Sequence, residues 1–179
     1  MDDQGAAQSL LAKQRTQFFG KYRGLVTDNS DELKRGRLQV QVPQVLGLQP
    51  VWALPCVTYA GKDVGFFAMP PIGTVVWVEF EAGEPSFPIW TGCVWGLGDI
   101  ADADAIPTVK FLKTDKFTIR IDDDGGELRI EDTNGTQIII TPSNLVLKSS
   151  TTKVQGGGGR EVALDNVSVT VNQTSMEVK

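Results

Sequence analysis

Carboxylates are the residues of this chain that could do chemistry, because the sequence contains no histidine. Catalytic triads, Cys-His dyads and His-based zinc sites are therefore excluded. The two cysteines, Cys56 and Cys93, are too few for a four-thiolate metal site. Both stand in apolar, strand-like text, where we expect buried, reduced thiols. An enzyme built on this chain would depend on carboxylates, lysine or hydroxyl groups.

Three groups of acidic residues are candidates for a cation site or for acid-base catalysis. The group in residues 99–104 lacks the central glycine and the final glutamate of a calcium loop, and the run 122–124 stands before a Gly-Gly turn. Glu79 and Glu81 have the spacing of two residues on the outer face of one strand, where surface acids are ordinary. We therefore predict solvated turns and surface acids, with no catalytic, cofactor-binding or metal-binding residue.

Charge and composition limit the remaining classes. The chain has 179 residues, a formal charge of -5 and 41% hydrophobic residues, which indicates one folded domain or two small ones. An acidic protein is a poor nucleic-acid binder, and the basic group Lys34, Arg35 and Arg37 stands beside Asp31 and is read as a solvated loop. No apolar run is long enough to span a bilayer, and the first residues lack a secretory pattern. We expect synthesis in the bacterial cytoplasm without a signal peptide.

The elements that must position these residues form four segments. Residues 1–17 predict a short amphipathic helix, and residues 18–98 contain about five alternating strands that suit a small closed barrel. Residues 99–116 are interpreted as a linker. Residues 117–179 alternate short strands with turn sequences at a spacing of about nine residues, which is typical of a repetitive β architecture. The fold class predicted is therefore all-β.

The C-terminal strands each have one apolar face, and no second sheet or helix of the chain is predicted to cover it. Because a layered structure needs a partner for every apolar face, the missing layer should come from other copies. Three identical ribbons closing into a prism meet this need with symmetric closure, and a sandwich within one chain is the alternative. The residues predicted to line the trimer axis are Phe117, Ile119, Ile121, Leu128, Ile130, Ile138, Ile140, Leu145, Leu147, Val162, Leu164, Val167, Val169, Val171, Met176 and Val178.

Three stretches carry a combination of motifs: GRLQVQVP (36–43), WALPC (52–56) and GFFAMPPIGTVVWVEFEAGEPSFPIWTG (65–92). The last contains Gly-Thr followed by V-x-V-x-F, a Gly-x-Pro turn and Pro-Ile-Trp-x-Gly. In these motifs the chain resembles the OB-fold domain of phage baseplate assembly protein V and of the central spike proteins of contractile injection systems.

The resemblance implies a structural homotrimer at the centre of a phage or injection-system baseplate. The OB barrel would dock beneath a hub protein that continues into the tail tube, and a C-terminal β-prism or triple-stranded β-helix would point towards the target membrane. A conical, PAAR-type tip protein is implied at the far end, with Met176, Glu177, Val178 and Lys179 as its expected contacts. Some relatives carry a lysozyme-type domain between barrel and spike, but residues 99–116 are too few for one, so no enzymatic activity is expected.

A single-stranded nucleic-acid-binding OB module with an oligomerising β tail is the alternative function. OB folds bind single strands by stacking bases on aromatic side chains over a basic groove. Most of the candidate aromatics occupy the motif positions above, and they are not interleaved with lysine or arginine along the sequence. They are therefore expected in the core or between barrels: Trp52, Tyr59, Trp77, Trp90 and Trp95.

Overall fold

The computed structural model describes residues 16–171 and 176–178. It is almost entirely β-structure and divides into two compact units, Met1–Leu97 and Gly98–Lys179. The predicted all-β class is confirmed. The helix predicted over residues 1–17 lies outside the described residues except at its last two positions.

The first unit is a closed five-stranded barrel with the strand order β1-β2-β3-β7-β6, in which β6 also pairs with β1. Strands β3 and β7 are parallel, and the other barrel pairs are antiparallel. This is the barrel that the sequence predicts. Its elements are β1 (Tyr22–Asp28), β2 (Leu38–Gln41), α1 (Pro43–Leu46), β3 (Pro50–Pro55), the small hairpin β4 (Ala60–Gly61) and β5 (Val64–Gly65), β6 (Val75–Phe80), a 3-10 turn (Glu81–Gly83) and β7 (Pro88–Cys93).

Alternating residues of the barrel strands meet in one core. Every second side chain points inward because successive residues of a strand face opposite sides. Trp90 also enters this core, and its indole N–H donates a hydrogen bond to the Gly36 carbonyl at 3.1 Å, so the buried polar group is satisfied. The buried core residues are Val26, Leu38, Val40, Val42, Ala53, Val76, Val78, Phe80 and Trp90.

The loop between β1 and β2 is organised by one carboxylate. Asp31 accepts two hydrogen bonds from the Arg37 guanidinium, at 2.7 and 2.9 Å, and further bonds from the backbone N–H groups of Leu33, Arg35 and Arg37. Its side chain is only 4% exposed. Lys34 and Arg35 are exposed in this loop, as the interpretation of a solvated loop expects, whereas Arg37 is half-buried and paired with Asp31. The bond from Arg37, with the backbone donors, holds the pKa of Asp31 well below its ordinary range.

The second unit contains two antiparallel sheets in which consecutive strands pair. The five-stranded sheet has the order β12-β11-β10-β9-β8 and the four-stranded sheet the order β13-β14-β15-β16. Their strands are β8 (Val109–Lys113), β9 (Phe117–Asp122), β10 (Glu127–Asp132), β11 (Gln137–Ile140), β12 (Leu145–Lys148), β13 (Thr152–Gln155), β14 (Glu161–Leu164), β15 (Val169–Val171) and β16 (Met176–Val178).

This unit differs from the sequence prediction in four respects. The segment 99–116, expected as a linker, contains β8, and β13 was not predicted between the Ser/Thr run and the four glycines. Strand β15 begins at Val169, so Val167 lies in the preceding turn, where the Asp165 carboxylate accepts hydrogen bonds from the N–H groups of Val167 and Ser168 at 2.8 Å. Instead of one continuous ribbon, the unit forms two sheets with a break between β12 and β13.

We predict that Asp31→Asn lowers barrel stability at neutral pH and that the loss shrinks in acid. The folded-state pKa of Asp31 lies below its unfolded value of about 3.9, so its contribution is complete above that pH and is lost as the pH falls towards the folded value. Denaturant midpoints followed by tryptophan fluorescence measure this, because all four tryptophans lie in the barrel unit.

The matched control is Asp63→Asn. Asp63 is exposed and has a positive φ of 59°, a backbone conformation that asparagine also tolerates. The control should keep the parental midpoint from about pH 7 to pH 2. A wild-type to Asp31→Asn difference that stays constant over this range would contradict the role given to the Asp31 carboxylate.

Candidate functional site

Two rows of aliphatic side chains cross one face of the five-stranded sheet. They arise because the strands pair in a register that sets apolar residues directly opposite one another in every neighbouring pair. The first row is Leu112, Ile119, Ile130, Ile138 and Leu147. The second is Ile121, Leu128, Ile140 and Leu145, with Lys110 at its β8 end. We call this surface the ladder face.

The four-stranded sheet repeats the pattern. Its register sets Leu164 opposite Val169, and Val162 opposite both Val154 and Val171. Thr152 continues the first of these rows at the β13 edge, and the backbone register of β16 adds one residue to each row at the other edge, Val178 and Met176. Both sheets of the unit thus carry paired apolar rows on one face.

Nothing in the described part of one chain covers these rows. On the ladder face, Ile119 is 38% exposed and Leu145 is 66% exposed, while the central strand β10 is half-buried. In the described part of this unit the buried hydrophobic residues are Val109 and Ala163, each 8% exposed, and both lie on the opposite sides of their sheets. The described part of the chain therefore gives the C-terminal unit no apolar core comparable to that of the barrel.

On the reverse face of the five-stranded sheet, by contrast, the charged groups of the two central strands β9 and β10 are paired within the chain. Arg120 and Arg129 stand directly opposite each other in β9 and β10. Arg120 pairs with Asp104 at 3.0 Å and with Asp122 at 3.1 Å, and Arg129 pairs with Glu127 at 2.8 Å. The bonds to Asp104 and then Asp122 raise the pKa of Arg120, and the bond from Arg129 lowers the pKa of Glu127. These carboxylates offset the repulsion between the two guanidinium groups.

The backbone register places most of the residues predicted for the trimer axis on these rows. Two lie elsewhere: Phe117 stands opposite Asp132 at the end of β9, outside both rows, and Val167 is in a turn. Sequence reasoning missed Leu112, because the lysines of VKFLK interrupt the apolar pattern, and Val154, although the alternation in TKVQ is a signal for a short strand. That these rows line a trimer axis remains a prediction. So does the tip contact at Met176, Glu177, Val178 and Lys179, of which Lys179 lies outside the described residues.

The barrel surface places arginines over two of the tryptophans. The Arg23 guanidinium lies 5.7 Å from the Trp77 ring centre and that of Arg37 lies 5.0 Å from Trp52. These residues are separated in the sequence, but Arg23 and Trp77 are opposite each other in β1 and β6. Such cation-π pairs are worth about 0.5–1 kcal/mol at exposed sites and occupy ring faces on which a base could stack. Trp90 is in the core, as expected.

A cleft of about 440 Å³ opens beside the β4–β5 hairpin. Its lining includes Gly36, Tyr59, Phe67, Met69 and the indole of Trp90. A Cβ atom added at Gly36 would be 3.5 Å from the Phe67 ring, which shows how closely the segment after the hairpin approaches the loop that Asp31 organises. The cleft is mainly apolar, and its charged lining residues Lys34, Arg35 and Asp63 do not form a catalytic arrangement.

The sequence candidates for chemistry are dispersed. Cys56 and Cys93 are both exposed, so the expectation of buried thiols is wrong. Cys56 directly follows β3, and Cys93 is the last residue of β7. Glu79 pairs with Lys21 at 2.7 Å, while Glu81 begins the 3-10 turn. Within the described residues, no three His, Cys, Asp or Glu side chains converge as a metal site would require. None of the described helices has the length and apolarity needed to traverse a bilayer.

Comparison with known proteins identifies the barrel. No characterised protein matches the chain as a relative. Residues 22–95 match the model of the family described as the Type VI secretion system/phage-baseplate injector OB domain. The matched segment begins at the first residue of β1 and ends two residues after β7, and therefore coincides with the closed barrel. The barrel of this chain is thus similar to the OB domain of phage-baseplate and type VI secretion injectors, and this match supports a structural role in a baseplate.

Proposed function

We propose that the chain forms a homotrimeric spike at the centre of the baseplate of a phage tail or contractile injection system. The OB barrel joins the spike to a hub protein and the tail tube, and the C-terminal unit extends towards the target membrane. The single observation that carries the proposal is the ladder face, an apolar surface that the described part of its own chain leaves uncovered. The family of the barrel supports the baseplate setting.

The energetics favour covering the ladder face with protein. Fully burying a leucine or isoleucine side chain stabilises a protein by about 1.5–3 kcal/mol. Covering a half-exposed residue of the rows with another copy would therefore stabilise the assembly by about 1 kcal/mol. Summed over both sheets this is on the order of 10 kcal/mol per chain before the cost of association. An apolar surface of this extent is unusual on a monomeric protein.

The width of the sheets favours three copies over two. A strand of four residues is about 13 Å long, and a triangular prism with sides of about 13 Å has its axis about 4 Å from each face. Packed sheets are about 10 Å apart, which places each sheet about 5 Å from the middle of the layer between them. The distance of about 4 Å from prism face to axis is close to this value. Two facing ribbons would instead leave both long sides of the apolar layer open to water.

The reverse face suits the outside of such a prism. Its arginines and carboxylates are paired within the chain, so it needs no partner and remains hydrated. Hydrogen-bonded hairpins stacked along the axis would give a stiff rod, which is what delivery of force to a membrane requires. A conical tip protein of the PAAR type bound at residues 176–179 completes the proposal, and assembly into a virion or injection particle follows from the baseplate role.

We predict that Ile138→Asp abolishes trimer formation. The substitution would bring three carboxylates together at the apolar axis, where unpaired buried charges are strongly destabilising. In a monomer the same side chain is 39% exposed and the change would cost little. Size-exclusion chromatography with light scattering should give a trimer for the parent chain and a monomer for the variant.

The control is Gln137→Asp, one residue earlier in β11 and therefore on the reverse face. There the new carboxylate would lie between Glu131 and Lys148, the cross-strand neighbours of Gln137. The control should remain a trimer. Equal masses for the Ile138→Asp variant and its parent would count against the prism.

The alternative function predicts that bases of a single-stranded nucleic acid stack on the tryptophan rings. The structure does not favour such stacking, because Arg37 and Arg23 occupy the ring faces of Trp52 and Trp77. We expect no change in the fluorescence anisotropy of a labelled single-stranded oligothymidine at low salt. Binding whose affinity falls steeply as salt rises would support the alternative and oppose the proposal.

A further inference from the structure

The cleft beside the β4–β5 hairpin has an apolar floor and two fixed walls. Val57, Met69 and Trp90 line the floor and either belong to the barrel core or pack against it. One wall is the loop between β1 and β2, which a largely buried ion pair holds in place. The other wall is the hairpin, where the Phe66 N–H donates to the Tyr59 carbonyl at 2.9 Å. A preformed cleft of this kind loses little conformational freedom when it binds a ligand.

Strained backbone is concentrated in the lining of this cleft. Lys34 on the loop wall has a φ of 53° and Asp63 on the hairpin wall has a φ of 59°. These are two of the three described non-glycine residues with a positive φ, a conformation that such residues adopt rarely. Strain is retained where the surrounding structure enforces it, and it is frequent at ligand-binding sites.

Three aromatic rings stand open around the cleft. Tyr59, Phe66 and Phe67 are between 56% and 77% exposed, and Val64 beside them is exposed as well. A single exposed apolar residue is ordinary, but a group of them around a concave surface marks a binding site. The cleft volume of about 440 Å³ lies within the range of small-molecule sites.

The polar groups of the lining limit what the ligand can be. Most lining side chains have no polar atom, and the N–H of Trp90 is already used in a hydrogen bond to the backbone. The exceptions are the charged groups of Lys34, Arg35 and Asp63 and the Tyr59 hydroxyl. A peptide would bring backbone N–H and C=O groups against apolar walls, and the closed barrel offers them no free strand edge. The lining therefore suits an apolar molecule with one charged end.

The charged end that fits is an anion. Lys34 and Arg35 are exposed neighbours on the loop wall, and neither enters an ion pair in the described part of the chain. The lining contains one acid, Asp63, on the hairpin wall, and Glu32 of the same loop is not part of the lining. Two cations on one wall attract a carboxylate, and arginine binds this group with paired N–H donors.

We propose that the cleft binds a single-chain amphiphile with a carboxylate head. The alkyl chain lies against the rings of Tyr59, Phe66 and Phe67, and the head lies against Lys34 and Arg35. Because the cleft floor is part of the barrel core, the ligand enters as a free molecule and not as the surface of a bilayer. The site lies within the barrel unit and does not depend on the proposed trimer.

Isothermal titration calorimetry of the full chain with decanoate, kept below its critical micelle concentration, tests the site. We expect one decanoate per chain and an affinity about fourfold higher for each methylene added between octanoate and decanoate. Decyltrimethylammonium has the same alkyl chain and a cationic head, and should bind about tenfold more weakly than decanoate.

Variants of the lining locate the bound molecule. Phe67→Ser removes an exposed ring and Arg35→Gln removes a cation, and each should weaken decanoate binding about tenfold. The matched controls are Phe87→Ser, an exposed ring outside the lining, and Lys62→Gln, an exposed cation of the hairpin outside the lining. Both controls should keep the parental affinity within about twofold.

Four results would overturn the proposal. Equal affinity for both head groups, or equal affinity in the lining variants and their controls, would assign the binding to another apolar surface. Heat only above the micelle concentration, or binding only to phosphatidylglycerol vesicles, would show that a free amphiphile is not the ligand. Decanoate affinity that falls as the protein concentration rises would show that a second copy occupies the cleft, and absence of binding would remove the site.

Discussion

An apolar sheet face that residues 16–171 leave uncovered is the constraint on which this structure depends. The strands of the C-terminal unit are three to six residues long and alternate strictly enough that their aliphatic residues fall into continuous rows. Such short strands form a narrow sheet with little area for internal packing, and the described part of the chain places no helix or second layer over it. The proposed trimer would supply the missing layer from other copies.

The two units of the chain meet the demands of folding in different ways. The barrel closes its sheet, fills its interior with aliphatic residues and Trp90, and fixes the β1–β2 loop through Asp31. It needs no partner to form a core. The C-terminal unit satisfies its polar face internally, through Arg120 and Arg129, and leaves its apolar face open. This division suits a module that docks as a preformed body and an extension that becomes rigid only by assembly.

The sequence predicts the barrel and the apolar rows well, because both follow from alternation within single strands. Strand β6 begins and ends where its pattern does, and Ile138 and Ile140 fall on the predicted face. Prediction from the sequence fails where a strand lacks a clear apolar pattern or where the contact joins residues of different strands. Strand β8 was missed because its two lysines interrupt the apolar pattern, and the pairing of Arg23 with Trp77 appears only once β1 and β6 are adjacent. The break after β12 carries no sequence signal beyond a run of Ser and Thr.

The native mass of the unmodified chain tests the central claim most directly. Native mass spectrometry over a dilution series into the low micromolar range should give three times the 19.4 kDa chain mass, with no folded monomer. A stable, folded monomer at these concentrations would show that the apolar rows need no other copy, and would contradict the account.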